Sequence, residues 1–110
     1  MQIERKEKYT LIHTKENSFD NFLKEISNIL QNFENEDLIL EISNFINFKE
    51  EDFSLLLDIK TKKNKNGTSF VIVNNNVSID NLPESLNIAP TITEAEDILE
   101  IEAIERELGF

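Results

Sequence analysis

The chain has 110 residues, 39% of them hydrophobic, and its 22 acidic and 11 basic residues leave a formal net charge of −11. This length and apolar content predict one folded domain with one core and exclude a disordered chain. The negative charge opposes binding to nucleic acid and to anionic membrane surfaces, so we predict neither as a partner. The absence of cysteine excludes disulfides, thiolate zinc sites and cysteine nucleophiles.

The first residues predict neither secretion nor a membrane anchor. The chain opens on Met1-Gln2-Ile3-Glu4-Arg5, which is charged at once, and no apolar region of a signal peptide follows. No apolar run in the sequence approaches the length of a membrane span. We therefore expect a cytoplasmic protein.

A strand pair is predicted first. Tyr9–Thr14 is rich in β-forming residues and partly alternating, which predicts a strand. An earlier strand around Ile3 is expected to pair with it through a turn near Glu7 and Lys8.

An amphipathic helix is predicted next, because apolar residues recur at helical spacing. Asn17 or Ser18 is expected to cap it, with Asp20 in the first turn, where the helix dipole favours an anion. The apolar stripe consists of Phe19, Phe22, Leu23, Ile26, Ile29, Leu30 and Phe33.

The middle of the chain predicts strand, helix and strand. Leu38–Ile42 is nearly all apolar, as expected for a strand covered on both faces, and Ser69–Val73 is a second such strand. Between them a helix is predicted from about Glu50 to Lys62, and Gly67 is expected to close the turn after it. Acids at the start of this helix and lysines at its end match the helix dipole. Its inward residues are predicted to be Phe53, Leu56, Leu57 and Ile59.

The last third predicts a short strand and a third helix. Residues 77–87 are expected to be irregular or briefly helical, and Pro90 indicates that Ile88–Ile92 is an edge strand or a strand end. Thr93 and Glu96 form a capping box that is predicted to open the last helix. The alternation of strands and helices predicts an α/β layer fold with a partly parallel sheet.

No motif for catalysis or for a cofactor emerges. His13 is the only histidine, so a metal cluster or a Ser-His-Asp triad is not predicted, and we interpret His13 as an ordinary strand residue. Neighbouring carboxylates arise readily among 22 acids, and two glycines cannot form a glycine-rich phosphate loop. The basic cluster of residues 60–65 is either a solvated helix end or an anion site. We predict no enzyme activity, no metal and no cofactor.

The acidic stretch Glu100–Phe110 allows two interpretations. It is either the solvated face of the last helix or a segment that docks on a partner through Leu108 and Phe110.

The order of these motifs resembles the STAS domain, the fold of bacterial anti-sigma factor antagonists and of the cytoplasmic domains of sulfate transporters. Leu38–Ile42 resembles the buried strand of that family, and Ser43-Asn44 resembles the turn that follows it. Phe45–Phe48 and Phe53–Leu57 resemble the apolar approach and the leucine-rich helix. Gly67–Val73 and Thr93–Leu99 are similar to the next strand and the start of the last helix.

The resemblance implies that residues 1–110 form a single STAS-like domain of the α/β class. Its mixed sheet would have about four to five strands, the central ones parallel, flanked by about three to four helices. The chain is also similar to short acidic STAS-like proteins of the Bacteroidetes, some of which carry a ribonuclease Z label. Ribonuclease Z needs a cluster of metal-binding histidines, so that activity is not expected with one histidine.

The chain departs from the family pattern at the start of the second helix. Antagonists of this family carry Asp-Ser-Ser-Gly there, and phosphorylation of the serine switches binding to an anti-sigma kinase. This chain has Lys49-Glu50-Glu51-Asp52, so glutamates stand at the serine positions, and Ser54 lies further into the helix. The resemblance thus implies a non-enzymatic regulatory domain that binds a protein without this switch.

The resemblance also implies where the partner binds. The contact surface would be the turn before the second helix together with one face of that helix, and the partner would be a protein such as an anti-sigma-type regulator. Helix-dipole stabilisation alone is the competing explanation for the acids. An accessory role beside an RNA-processing enzyme and a structural homo-oligomer, such as a homodimer, stay open. The predicted site residues are Asn44, Asn47, Lys49, Glu50, Glu51, Asp52 and Phe53.

Overall fold

A five-stranded mixed sheet with helices on both faces organises the chain. The computed structural model describes residues 2–14, 18–42, 50–74 and 86–109. The strands in these ranges are β1 Gln2–Arg5, β2 Thr10–Thr14, β3 Leu38–Ile42, β4 Phe70–Val73 and β5 Ile88–Ala89. The α-helices are α1 Phe19–Leu30, α2 Glu50–Lys65 and α3 Ile92–Glu107. The predicted α/β class is confirmed.

The strands lie in the sheet in chain order, from β1 to β5. β1 runs antiparallel to β2, and all other neighbours are parallel. Lys6 N donates to Tyr9 O at 2.8 Å in the turn between β1 and β2, which confirms the predicted strand pair. The register sets Ile12 beside Leu40, and Leu40 beside Ile72, so these three side chains line the same face.

Each face of the sheet has its own apolar core. On one face, Phe22 and Ile26 of α1 and Leu56 of α2 are fully buried against the sheet. On the other face, Ala95 and Leu99 of α3 are buried. Alternate residues of the strands serve the two cores, which explains why β3 and β4 are nearly all apolar. The strand residues of the α3 core are Leu11, Ile39, Val71, Val73 and Ala89.

α1 is shorter than the apolar stripe that predicted it, and α2 is longer than predicted. α1 ends at Leu30, and a 3-10 turn, Gln31–Phe33, carries the buried Phe33 into the core instead of a further α-helical turn. α2 continues beyond the predicted end to Lys65, where Gly67 stops it in a left-handed conformation with a φ of 79°. Thr68 N then donates to Lys63 O at 3.0 Å.

The predicted start of α3 is wrong by two residues. Thr91, with φ −137° and ψ 160°, is the N-cap, and its side chain accepts from Glu94 N at 3.2 Å. Thr93 therefore lies inside the helix, and β5 is shorter than the predicted strand because Pro90 has no N–H for the ladder. The sequence contains two overlapping threonine–glutamate pairs, and the earlier one starts the helix. Residues 77–87 were predicted to be irregular or briefly helical, and residues 77–85 of this segment lie outside the described residues.

Thr91→Ala is expected to lower the free energy of unfolding by about 1 kcal/mol, because Glu94 N–H loses its acceptor. Thr93→Ala should change it by less than about 0.5 kcal/mol, since Thr93 is exposed on the helix surface. Chemical denaturation of both variants measures the difference. A larger loss for Thr93→Ala would contradict this assignment of the cap.

Within the part of the chain that the structure describes, no helix combines the length and apolarity needed to cross a membrane.

Candidate functional site

The carboxyl ends of β2, β3 and β4 meet at one edge of the sheet, because these strands are parallel. α1 follows β2 and α2 follows β3, so both helices begin at this edge. Ser18 Oγ accepts from Asn21 N at 3.2 Å, which confirms Ser18 as a cap of α1, and Asp20 lies in the first turn. Asn74 Nδ2 donates to Ile42 O at 3.4 Å and links the ends of β3 and β4.

The first turn of α2 holds the described part of the predicted site. Glu50 begins the helix, Glu51 is exposed, and Asp52 is half-buried. Phe53 is 8% exposed and packs in the core, as predicted for an inward residue, which leaves little of its ring for a partner. Outside the described residues lie Asn44, Asn47 and Lys49. The partner-binding role of all seven residues stays a prediction.

One side of α2 faces solvent with a regular charge pattern. Glu51, Leu55, Asp58 and Lys62 are spaced by four, three and four residues, so they lie on the same side of the helix. All four are exposed, and Leu55 is 41% exposed. The side therefore runs from an acid at the helix start, through an apolar residue, to a base at the end.

A groove of about 630 Å³ lies between α1 and α2, beside the exposed side of α2. Leu23, Leu30, Leu55 and Ile59 supply its apolar surface. Charged residues of both signs border it: Glu34, Asp58, Lys62 and Lys65. The predicted site consisted of the turn before α2 and one face of α2, and it did not include this α1–α2 groove. The available signal was Leu23 and Leu30, which lie seven residues apart in the apolar stripe of α1.

Lys63, one of the lysines in the basic cluster of residues 60–65, has a structural role. It is 4% exposed, and its Nζ donates to Phe33 O at 2.8 Å, which caps the 3-10 turn. Burial lowers the pKa of Lys63, against the opposing influence of Asp37, Glu36 and Glu34. The exposed lysines of the cluster are therefore Lys62 and Lys65, at the rim of the α1–α2 groove.

His13 pairs with carboxylates on the face of the sheet that lies opposite the α1–α2 groove. Its Nδ1 lies 2.5 Å from Glu41 Oε1, and its Nε2 lies 3.9 Å from Glu4 Oε1. The parallel register that sets His13 beside Glu41 causes this pairing, and that register was not part of the sequence prediction. In the described ranges, no group of three or more histidine, cysteine, aspartate or glutamate residues is arranged to hold a metal ion.

Tyr9 connects the start of β2 to α3. Its hydroxyl donates to Glu96 Oε2 at 2.8 Å, and the side chain packs against the core under α3. Burial, and then the hydrogen bond to Glu96, raise the pKa of Tyr9 from 10.0 to about 12. The raised pKa means that the contact favours the protonated phenol.

The ultraviolet absorbance of tyrosinate is expected to titrate with a midpoint well above 10 while the protein is folded. Tyr9 is the only tyrosine and there is no tryptophan, so the signal reports this side chain alone. Because the folded pKa exceeds the unfolded one, the contribution of Tyr9 to stability is complete below pH 10 and is lost as pH rises to about 12. Glu96→Gln should lower the midpoint only in part, since burial is the larger cause. A midpoint at 10 would contradict the contact.

A scan against protein-family models finds no match to this sequence, and a search of curated proteins finds none either.

Proposed function

We propose that this chain is a non-enzymatic, STAS-like domain of the cytoplasm that regulates a protein partner by binding it. The contact surface is the α1–α2 groove together with the exposed side of α2. The observation that supports it most is Leu55, an exposed leucine between an acidic and a basic residue of α2 at the edge of an apolar groove.

This surface has the composition of a protein interface. Its centre is apolar, at Leu23, Leu55 and Ile59, and its border is charged, which is the arrangement of core and rim in protein–protein contacts. The border carries both signs, so a partner must match an ordered charge pattern. Such a pattern contributes to specificity and to the rate of association more than to affinity.

The negative charge at the start of α2 is permanent. Glu50 and Glu51 stand where the STAS resemblance has a phosphorylatable serine, so a basic residue of the partner would meet the same charge at all times. The domain would then be regulated by the amount of the protein or of its partner and not by phosphorylation at this turn. Mass spectrometry that detects phosphate at Ser43 or Ser54 in the native protein would contradict this part of the proposal.

Affinity capture from the native cell with paired variants tests the surface. Leu55→Asp and Glu51→Lys are expected to reduce the recovery of the specific partner several-fold, while Ile3→Asp, at a similarly exposed position of β1, should leave it unchanged. If both α2 variants capture the same partners as the wild-type chain, the proposed site is wrong.

The alternatives are decided by two further measurements. Robust hydrolysis of phosphodiester substrates, with or without Mg²⁺, Mn²⁺ or Zn²⁺, would overturn the non-enzymatic assignment. Light scattering after size exclusion would favour a structural homo-oligomer if a stable dimer formed and no other partner was captured. A partner that is an RNA-processing enzyme would identify the accessory role.

A further inference from the structure

The far end of α3 carries an exposed apolar stripe. Ile101, Ile104 and Leu108 are 54%, 50% and 67% exposed, and they are three of the five exposed large hydrophobic residues in the described ranges. Their spacing of three and four residues places them on the same side of the helix and its last turn. Scattered exposed apolar residues need no explanation, but a contiguous stripe is typical of an interaction surface.

The stripe is held away from the sheet by contacts on the other side of α3. Leu99 and Ala95 are buried against the sheet, and Arg106 Nη1 donates to Ser69 Oγ at 2.9 Å. Asn87 Nδ2 also donates to Glu102 Oε2 at 2.5 Å. Four contacting residues thus fix the rotation of the helix, so the stripe cannot turn inward without breaking them.

Acidic residues border the stripe on both sides. Each of them lies three or four residues from Ile101, Ile104 or Leu108, so each is an immediate neighbour on the helix surface. α3 contains one basic residue, Arg106, which is half-buried on the sheet side. The bordering acids, all exposed, are Asp97, Glu100, Glu105 and Glu107.

We propose that this α3 stripe is a second docking surface, which inserts into an apolar groove of a partner protein lined by lysine and arginine. Helices bind such grooves through apolar residues at this spacing, and the acidic borders select basic walls. Anionic membranes and nucleic acids would be repelled by the same acids. A second copy of this chain is disfavoured because each copy has a net charge of −11.

The α3 stripe is independent of the α1–α2 groove. α3 packs on one face of the sheet, while α1 and α2 pack on the other, so the two surfaces point in different directions. The domain can therefore hold two proteins at once, and loss of one surface leaves the other intact.

Two synthetic helical peptides with the same leucine pattern test the chemistry, one with lysine and one with glutamate beside the leucines. In an NMR titration of the full chain, the lysine peptide is expected to shift amides of residues 97–108, and the glutamate peptide is expected not to bind. Ile104→Ser with Leu108→Ser should weaken binding of the lysine peptide about tenfold or more. Ile3→Ser is the matched control, since it removes an exposed apolar residue of β1, outside both proposed surfaces, without changing charge.

Three outcomes would overturn the proposal. They are equal binding of both peptides, equal weakening by the Ile3→Ser control, and lysine-peptide binding that survives the double α3 variant. A thermal melt of each variant confirms that it is folded. In a second measurement, a photo-cross-linker at Ile104 in the native cell is expected to join a protein at sites beside lysine or arginine. A cross-link to a second copy of this chain would overturn the proposal.

Discussion

Phe70→Ala is expected to lower the free energy of unfolding by about 3–5 kcal/mol, because it empties the centre of the core between the sheet and α1–α2. Phe70 is fully buried in β4 and lies beside Leu38 of β3. Deleting the ring removes its apolar contacts and leaves a cavity that the strands cannot close, since their hydrogen-bonded ladder fixes their spacing. Single domains have only about 5–15 kcal/mol of stability in total, so this one change removes a large share.

Urea denaturation followed by far-ultraviolet circular dichroism measures this loss. Ile101→Ala is the matched control, because Ile101 is 54% exposed on α3 and its replacement should change stability by less than about 0.5 kcal/mol. A loss for Phe70→Ala as small as that of the control would contradict the position of Phe70 in the core.

Asp37→Ala is expected to lower the free energy of unfolding by about 1–3 kcal/mol, because it leaves a buried backbone donor without an acceptor. Asp37 Oδ1 accepts from Ser69 N at 2.8 Å, and Ser69 is fully buried directly before β4. The hydroxyl of Ser69 in turn accepts from Arg106 of α3 at 2.9 Å. Asp37 thus stabilises the point where β3, β4 and α3 meet.

Asp37→Asn separates the hydrogen bond from the charge. The amide oxygen of asparagine can still accept from Ser69 N, and the loss of charge removes the partly exposed contact with Arg106 at 3.9 Å and the attraction between Asp37 and Lys63. This variant should therefore keep the wild-type stability within about 1 kcal/mol. Equal destabilisation by both substitutions would show that charge, and not the acceptor, matters at this position.

The α/β class, the strand pair at the start and the burial of Phe53 and Leu56 could be predicted from the sequence. They depend on local patterns: runs of β-forming residues, apolar residues at helical spacing, and Gly67 at a helix end. The start of α3 could not be predicted, because two threonine–glutamate pairs overlap and each satisfies the local rule. The structure places the N-cap at Thr91, whose side chain accepts from Glu94 N.

For the candidate site, the sequence indicated the acids of the first turn of α2, and the structure places Glu51 and Asp52 there. The sequence did not indicate the α1–α2 groove, because Leu23 and Leu55 are far apart in the chain and line one groove only when both helices pack on the same face of the sheet. The sequence also did not predict that Ile101 and Ile104 face solvent, since an apolar residue in a helix is ordinarily assigned to the core.

The sequence by itself determined the kinds of elements, the lack of cysteine chemistry and the negative charge, because these follow from residue type and local spacing. Only the tertiary structure decided which residues of different elements meet: His13 with Glu41, Lys63 with Phe33, and Asp37 with Ser69. It also decided which apolar residues are left in solvent. The physical reason is that strand register and helix rotation are set by the packing of the whole sheet with its helices. The sequence of a single segment does not determine either of them.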